Sequence, residues 1–133
     1  SGQYLTSISE QSKSYIGINA GGFKDDSGEG NGGSPNGITV SGGKYLSTNA
    51  LGQYNVIGFN KENKLVMGKY SVKQCQSEGI RDAVTFGPVL IKNGQASQIQ
   101  GNGGGGNAPR SAIGQRADGI VLFLVLDGSR TLR

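Results

Sequence analysis

The sequence predicts an α+β fold: antiparallel β-hairpins forming a twisted sheet, with two short helices. Three observations carry this. Glycine supplies 25 of the 133 residues, against ~7% in ordinary chains. The glycines separate short apolar runs rather than following a G-X-Y period, and so many tight turns favour strands. Paired runs around Gly- and Asn-rich turns recur along the chain as hairpin signatures, and two Ser-x-x-Glu/Gln patterns mark helix starts. A chain of 133 residues fits one domain and is long enough to bury a core, so residues 1–133 are read as a single domain.

Taken in order, Ser7 and Glu10 have capping-box spacing, which predicts a helix over Ser7–Lys13. Tyr15–Asn19 reads as a strand with Ile16 and Ile18 on one face. It runs into Asn19-Ala20-Gly21-Gly22-Phe23, where paired glycines permit close backbone approach to a ligand or a sharp turn. Lys24–Gly37 is polar and glycine-rich. It is expected to be a mobile surface loop, or a lid or binding loop, because loops beyond ~12 residues in compact domains are usually functional or disordered. Asp25, Asp26 and Glu29 lie in it, but no glutamate stands at the twelfth position of a calcium loop.

Three hairpins follow. Ile38–Val40 and Tyr45–Ser47 flank a Ser-Gly-Gly-Lys turn; Val56–Phe59 and Lys64–Met67 flank Asn60–Asn63; Val84–Ile91 leads through Lys92-Asn93-Gly94 to Gln95–Ile99. Pro88 places an edge or bulge in the third. Ser71 and Gln74 cap a helix over Ser71–Glu78. Arg81 and Asp82 precede the third hairpin and either pair on the surface or project into a site. Gly101–Asn107 is low-complexity and flexible, with neither a phosphate-loop nor a dinucleotide signature. The last hairpin joins Ser111–Gln115 to Ile120–Leu126 through Asp118-Gly119, a strong turn signal. Seven unbroken apolar residues predict a strand buried on both faces. In that hairpin Arg110 opens one strand and Asp127 closes the other, so both lie at one end of the sheet.

The chain has no histidine, which excludes Ser-His-Asp and Cys-His chemistry and most zinc sites. Cys75 is the only cysteine, so no internal disulfide forms; it reads as a small buried or half-buried residue. The +4 net charge is spread over single Lys and Arg residues, which argues against a nucleic-acid footprint. No run approaches the ~20 apolar residues of a membrane-spanning helix. Neither a cofactor nor a metal is expected.

Four segments together resemble the phosphodiester glycosidase family, the domain of bacterial exopolysaccharide-associated proteins and of the mannose 6-phosphate uncovering enzyme. They are Ile18-Asn19-Ala20-Gly21-Gly22-Phe23, Phe86-Gly87-Pro88-Val89-Leu90 with Asn93-Gly94, Arg110-Ser111-Ala112-Ile113-Gly114, and Asp118-Gly119 through Asp127-Gly128. The resemblance spans Tyr15 to Arg130. Two departures stand out. The family continues beyond this point with a helix and an Asn-Leu-Asp-Gly-Gly-Gly-Ser-Ser-like segment, so the domain is expected to be incomplete and to need the remainder of the same polypeptide. The family also often has arginine directly after Asp-Gly, whereas Ser129 intervenes before Arg130.

The resemblance implies hydrolysis of a sugar-1-phosphodiester, on cell-surface or exopolysaccharide glycans, by a secreted or surface protein. A phosphodiester is an anion that suits the planar guanidinium of Arg110, and glycosidic cleavage commonly uses carboxyl groups. Asp127 and Asp82 are the candidates beside Arg110. Asn19, Gly21, Gly22, Gly87 and Arg130 are the expected substrate-binding residues. Read without the family, Arg110 is a strand-end surface cation and Asp127 a turn former. The competing functions are a non-catalytic glycan-binding module and a structural surface domain.

Overall fold

A computed structural model describes residues 3–28, 30, 32–47, 51–101, 106 and 108–128. Its elements are antiparallel strands and two helices, as the sequence predicts. Helix α1 (Leu5–Ser12) is followed by β1 (Val40–Ser41), β2 (Lys44–Tyr45), β3 (Tyr54–Asn60) and β4 (Leu65–Tyr70). Then come α2 (Val72–Ser77), β5 (Ile80–Thr85), β6 (Ile91–Lys92), β7 (Gln95–Ala96), β8 (Arg110–Gln115) and β9 (Val121–Leu126).

Five strands form the main sheet in the order β2-β1-β5-β3-β4. β5 is central, and β3 lies inside the sheet: Ile57 faces Met67 of β4 on one side and Val84 of β5 on the other. Strand side chains alternate between faces, and here the two faces differ. Ile38, Val40, Val56, Ala83 and Cys75 of α2 form the buried core. Ile57, Phe59, Leu65, Met67 and Val84 belong to the opposite face by register and are only half-buried. Helix α2 begins as its sequence dictates: the Gln74 amide donates to Ser71 Oγ and the Ser71 amide to Gln74 Oε1.

The β8–β9 hairpin pairs in the expected register, with Arg110 opposite Leu126 and Gln115 opposite Val121. Its turn closes through the Arg116 amide, which donates to the Ile120 carbonyl, and the Gly119 amide, which donates to the Arg116 carbonyl. Gln115 latches it to the main sheet: Oε1 accepts from the Leu65 amide at 2.8 Å, and Nε2 donates to the Asn63 carbonyl at 2.9 Å.

Several expectations need correction. The apolar run is a strand, but it is not buried on both faces. Leu122 and Leu124 on one face are each 50% exposed, and Phe123 and Val125 on the other are 41% and 67% exposed. The physical reason is that, among the described residues, β9 pairs with β8 alone and no layer packs closely on either side. The first helix starts at Leu5 rather than Ser7, capped by the Tyr4 backbone with no side-chain cap. The added turn sets Leu5 against Gly17, a contact that capping spacing does not foresee. Residues 15–19 are not a strand: no neighbouring strand completes a ladder with them. The strand expected over Val84–Ile91 is not continuous: β5 ends at Thr85, no strand runs through Pro88, and the hairpin resumes as the two-residue β6 and β7. Proline has no amide hydrogen to donate to a ladder.

The loop at 24–37 is tied at its base. The Lys24 amide donates to the Ser34 carbonyl and the Asn36 amide to the Gly22 carbonyl, both at 2.8 Å. The expected flexible segment Gly101–Asn107 falls largely outside the described residues.

Candidate active site

Arg110 stands at the first position of β8, where the chain emerges from Ala108-Pro109. Its guanidinium is aligned by nearby backbone. Nη1 donates to the Pro109 carbonyl at 3.1 Å and Nη2 to the Gly106 carbonyl at 2.9 Å. Asp127 follows the last residue of β9, one position beyond the residue facing Arg110. The hairpin therefore brings this cation and carboxylate to one end, as its turn requires. The chains are close there: a Cβ added to Gly128 would lie 3.0 Å from Pro109 Cδ. Arg110 and Asp127 each take part in further interactions.

The glycine segment is delivered to the same strand. Ser111 Oγ donates to the Asn19 carbonyl at 2.6 Å, placing Asn19 beside the start of β8. Gly21 lies over β5 with φ +73°, and a Cβ there would sit 3.3 Å from Val84 Cβ. Both the left-handed backbone and the close approach favour glycine. Gly87 and Arg110 both line a cavity of about 710 Å3. That cavity separates residues 86–91 from the Leu122, Leu124 and Leu126 face of the hairpin. A second space of about 480 Å3 opens on the other face, between Ile16, Ile18, Val84, Ile113 and Phe123. Among the described residues, no three His, Cys, Asp or Glu side chains cluster as metal ligands would.

Asp82 is placed differently. Its Oδ1 accepts from the Gly42 amide at 2.7 Å and its Oδ2 from Arg81 Nε at 2.6 Å, while Arg81 Nη1 donates to Asn63 Oδ1. The carboxylate thus clamps the β1–β2 turn onto β5. Burial alone would raise the Asp82 carboxyl; the Gly42 amide and the Arg81 guanidinium outweigh it and hold the group below its ordinary value. Oδ1 is held by the Gly42 amide and Oδ2 by Arg81, and Asp82 lines the second space rather than the cavity wall that holds Arg110. Arg130 lies outside the described residues.

Two residues that the sequence reading left unassigned help to assemble this region. Ser111 links the glycine segment to β8, and its signal was its place directly after Arg110. Thr85 joins the 24–37 loop to β5: its Oγ1 accepts from the Ile38 amide at 2.7 Å and donates to the Ile38 carbonyl at 3.3 Å. No sequence signal marks that role, because the partners are 47 positions apart.

No helix among the described residues is long and apolar enough to cross a membrane. A family model described as phosphodiester glycosidase matches residues 12–133. No curated protein and no solved structure gives a significant match to the chain.

Proposed function

The chain belongs to the phosphodiester glycosidase family, and from that premise we propose that it hydrolyses a sugar-1-phosphodiester on a cell-surface or exopolysaccharide glycan. Water adds at the anomeric carbon, the bond from that carbon to the phosphate oxygen breaks, and a free sugar and a phosphomonoester leave. One observation carries the reading: Arg110 and Asp127 share one end of the β8–β9 hairpin, with the Arg110 guanidinium held by two backbone carbonyls.

In this reading Arg110 binds the phosphodiester. Negative charge grows on the departing phosphate, and a pre-aligned guanidinium meets that charge without reorganising. Asp127 either orients Arg110 or serves as the carboxyl group of the glycosidic step. Asn19 and the amides of Gly21 and Gly22 hold sugar hydroxyls or phosphate oxygens, Gly87 lets backbone approach the substrate, and Arg130 is a further anion contact. Asp82 stays ionised at neutral pH and is committed to the β1–β2 turn, so it is assigned the turn rather than the chemistry.

The test is release of free sugar from a sugar-1-phosphodiester. Losing a charge-assisted phosphate contact costs roughly 2–4 kcal/mol in transition-state binding, or about 30- to 1000-fold in kcat/KM, for Arg110→Ala. Arg110→Lys recovers little of it, because an ammonium lacks the fork of donors. Asp127→Asn lowers kcat by ~100-fold or more if the carboxyl does chemistry, and stays near wild type if it only forms the turn. Circular dichroism of each variant separates lost folding from lost chemistry. A fully active Arg110→Ala refutes the reading, and saturable sugar binding without turnover replaces it with a glycan-binding module.

A further inference from the structure

We propose that the non-sugar arm of the phosphodiester is a long apolar alcohol, so that the substrate is an amphiphile: a sugar 1-phosphate esterified to an alkyl or prenyl-like chain. This rests on the functional reading above and names the class of substrate for that same site.

The physical case begins with register. Side chains alternate along a strand, and the hairpin pairs Arg110 with Leu126, Ala112 with Leu124 and Gly114 with Leu122. Those six share one face. That face carries a cation at one end, followed by a lane with leucines along one side and almost no side chain along the other. From residue 110 to residue 114 the strand rises by about 13 Å. The cavity of about 710 Å3 lies between this lane and residues 86–91, where Phe86, Pro88, Val89 and Leu90 line it, and Ile57 and Met67 of the main sheet line it as well. Among the described residues that line it, Arg110 alone carries a charge. The Ser111 and Gln115 side chains belong to the opposite face by alternation. There Ser111 Oγ donates to the Asn19 carbonyl, and Gln115 holds the Leu65 amide and the Asn63 carbonyl.

A second sugar along this lane would set hydroxyls against leucine without side-chain partners, which is unfavourable. An alkyl chain gains there instead. Leu122 and Leu124 are each 50% exposed, and covering them removes apolar surface from water on both partners. With the phosphate on Arg110, the lane leads one arm of the diester away from Asp127 and leaves the sugar at the hairpin end. Hydrolysis then balances as follows. The oxygen of water bonds to the anomeric carbon, and the bond from that carbon to the phosphate oxygen breaks with its electron pair on that oxygen. One water proton stays on the new sugar hydroxyl and the other passes to the phosphate or to solvent. The products are the free sugar and an alkyl phosphate.

The test uses the full chain with methyl, butyl and octyl diesters of glucose, galactose, mannose and N-acetylglucosamine 1-phosphates, below their critical micelle concentrations. Gly114→Val fills the lane: a Cβ at Gly114 meets nothing within 4 Å, and valine suits a strand. Leu124→Asn makes the lane polar, and Val125→Asn does the same on the opposite face as the control.

Lengthening the arm from methyl to octyl should raise kcat/KM at least about 30-fold, since each methylene removed from water is worth up to about fourfold. The gain should sit in KM, because the lane holds ground and transition states alike. Gly114→Val and Leu124→Asn should each cut the gain about tenfold and leave the methyl diester within about twofold, while Val125→Asn keeps the gain. Equal kcat/KM for methyl and octyl diesters overturns the proposal and leaves the hydrolysis standing. A gain that survives both lane variants also overturns it, since the chain would then lie elsewhere, and so do lane variants that slow methyl and octyl diesters alike. A dimer in sedimentation that Gly114→Val disrupts, with no gain from octyl, assigns the lane to a second copy of this chain and overturns the proposal too. No turnover of any diester, methyl included, is the distinct failure: it removes the functional reading, and this proposal with it.

Discussion

Gly37→Ala tests how the sheet holds the loop beside the candidate site. Gly37 has φ +66°, a left-handed conformation that costs a non-glycine residue roughly 1–2 kcal/mol. The new methyl would also overlap the Thr85 hydroxyl and come within 2.7 Å of Tyr54 Cδ1. That hydroxyl accepts from the Ile38 amide and donates to its carbonyl, and Ile38 is fully buried. Displacing it leaves buried backbone groups unsatisfied, at about 1–3 kcal/mol. The expected loss is therefore about 2–5 kcal/mol in urea unfolding followed by far-ultraviolet circular dichroism. Thr85→Val removes the hydroxyl without touching Gly37 and should cost about 1–3 kcal/mol. Gly37→Ala in a Thr85→Ala background removes the overlap with the hydroxyl but keeps Tyr54 Cδ1 at 2.7 Å and the residue-85 Cβ at 2.9 Å, so it should still cost more than the roughly 1–2 kcal/mol of the backbone alone. A loss below about 1 kcal/mol for Gly37→Ala alone would show that the loop closes without this contact, and the reasoning would fail.

Other expectations follow from single contacts. Val56→Ala hollows the core that Val56 shares with Ile38 and Cys75, and should cost about 2–3 kcal/mol in the same unfolding assay. Ser71→Ala removes the side-chain cap of α2 and should cost about 1 kcal/mol, with Ser71→Asp near wild type. Asp82 has a folded-state pKa held below its ordinary value, so its contribution is present above about pH 4 and lost as pH falls through the folded value. Asp82→Ala should therefore narrow the stability gap to wild type on acidification, with a gap of at most about 1 kcal/mol at neutral pH because the pair is partly exposed; a gap that widens in acid contradicts the assignment. Leu122→Lys with Leu124→Lys should cut binding of an apolar dye by this chain, since both side chains are half exposed on the hairpin; undiminished dye binding would place the apolar surface elsewhere.

What the sequence determined is local chemistry, and what tertiary structure decided is which local choices meet. Asp118-Gly119 specified the β8–β9 turn because glycine there takes φ +90°, and a two-strand register follows from a turn without any distant partner. Asn93-Gly94 made its turn on the same terms, with φ +53° and +76°. The cap of α2 was legible because Ser71 and Gln74 are three residues apart. The pairing of Arg110 with Asp127 at one hairpin end came from the same short-range logic, so the centre of the candidate site was readable without coordinates. The order β2-β1-β5-β3-β4 was not readable, since β5 must cross the sequence to insert between β1 and β3, and burial of Val40, Val56 and Ala83 on one shared face goes with that arrangement. Asp82 shows the same limit: only the arrival of the β1–β2 turn beside β5 hands its carboxylate to Gly42 and Arg81. The seven-residue apolar run gave the strand correctly but its burial wrongly, because hydrophobicity states a demand for cover and only packed neighbours can meet it. Residues 15–19 failed as a strand for the complementary reason: alternation makes a strand possible, and a ladder needs a second chain segment that the fold places elsewhere.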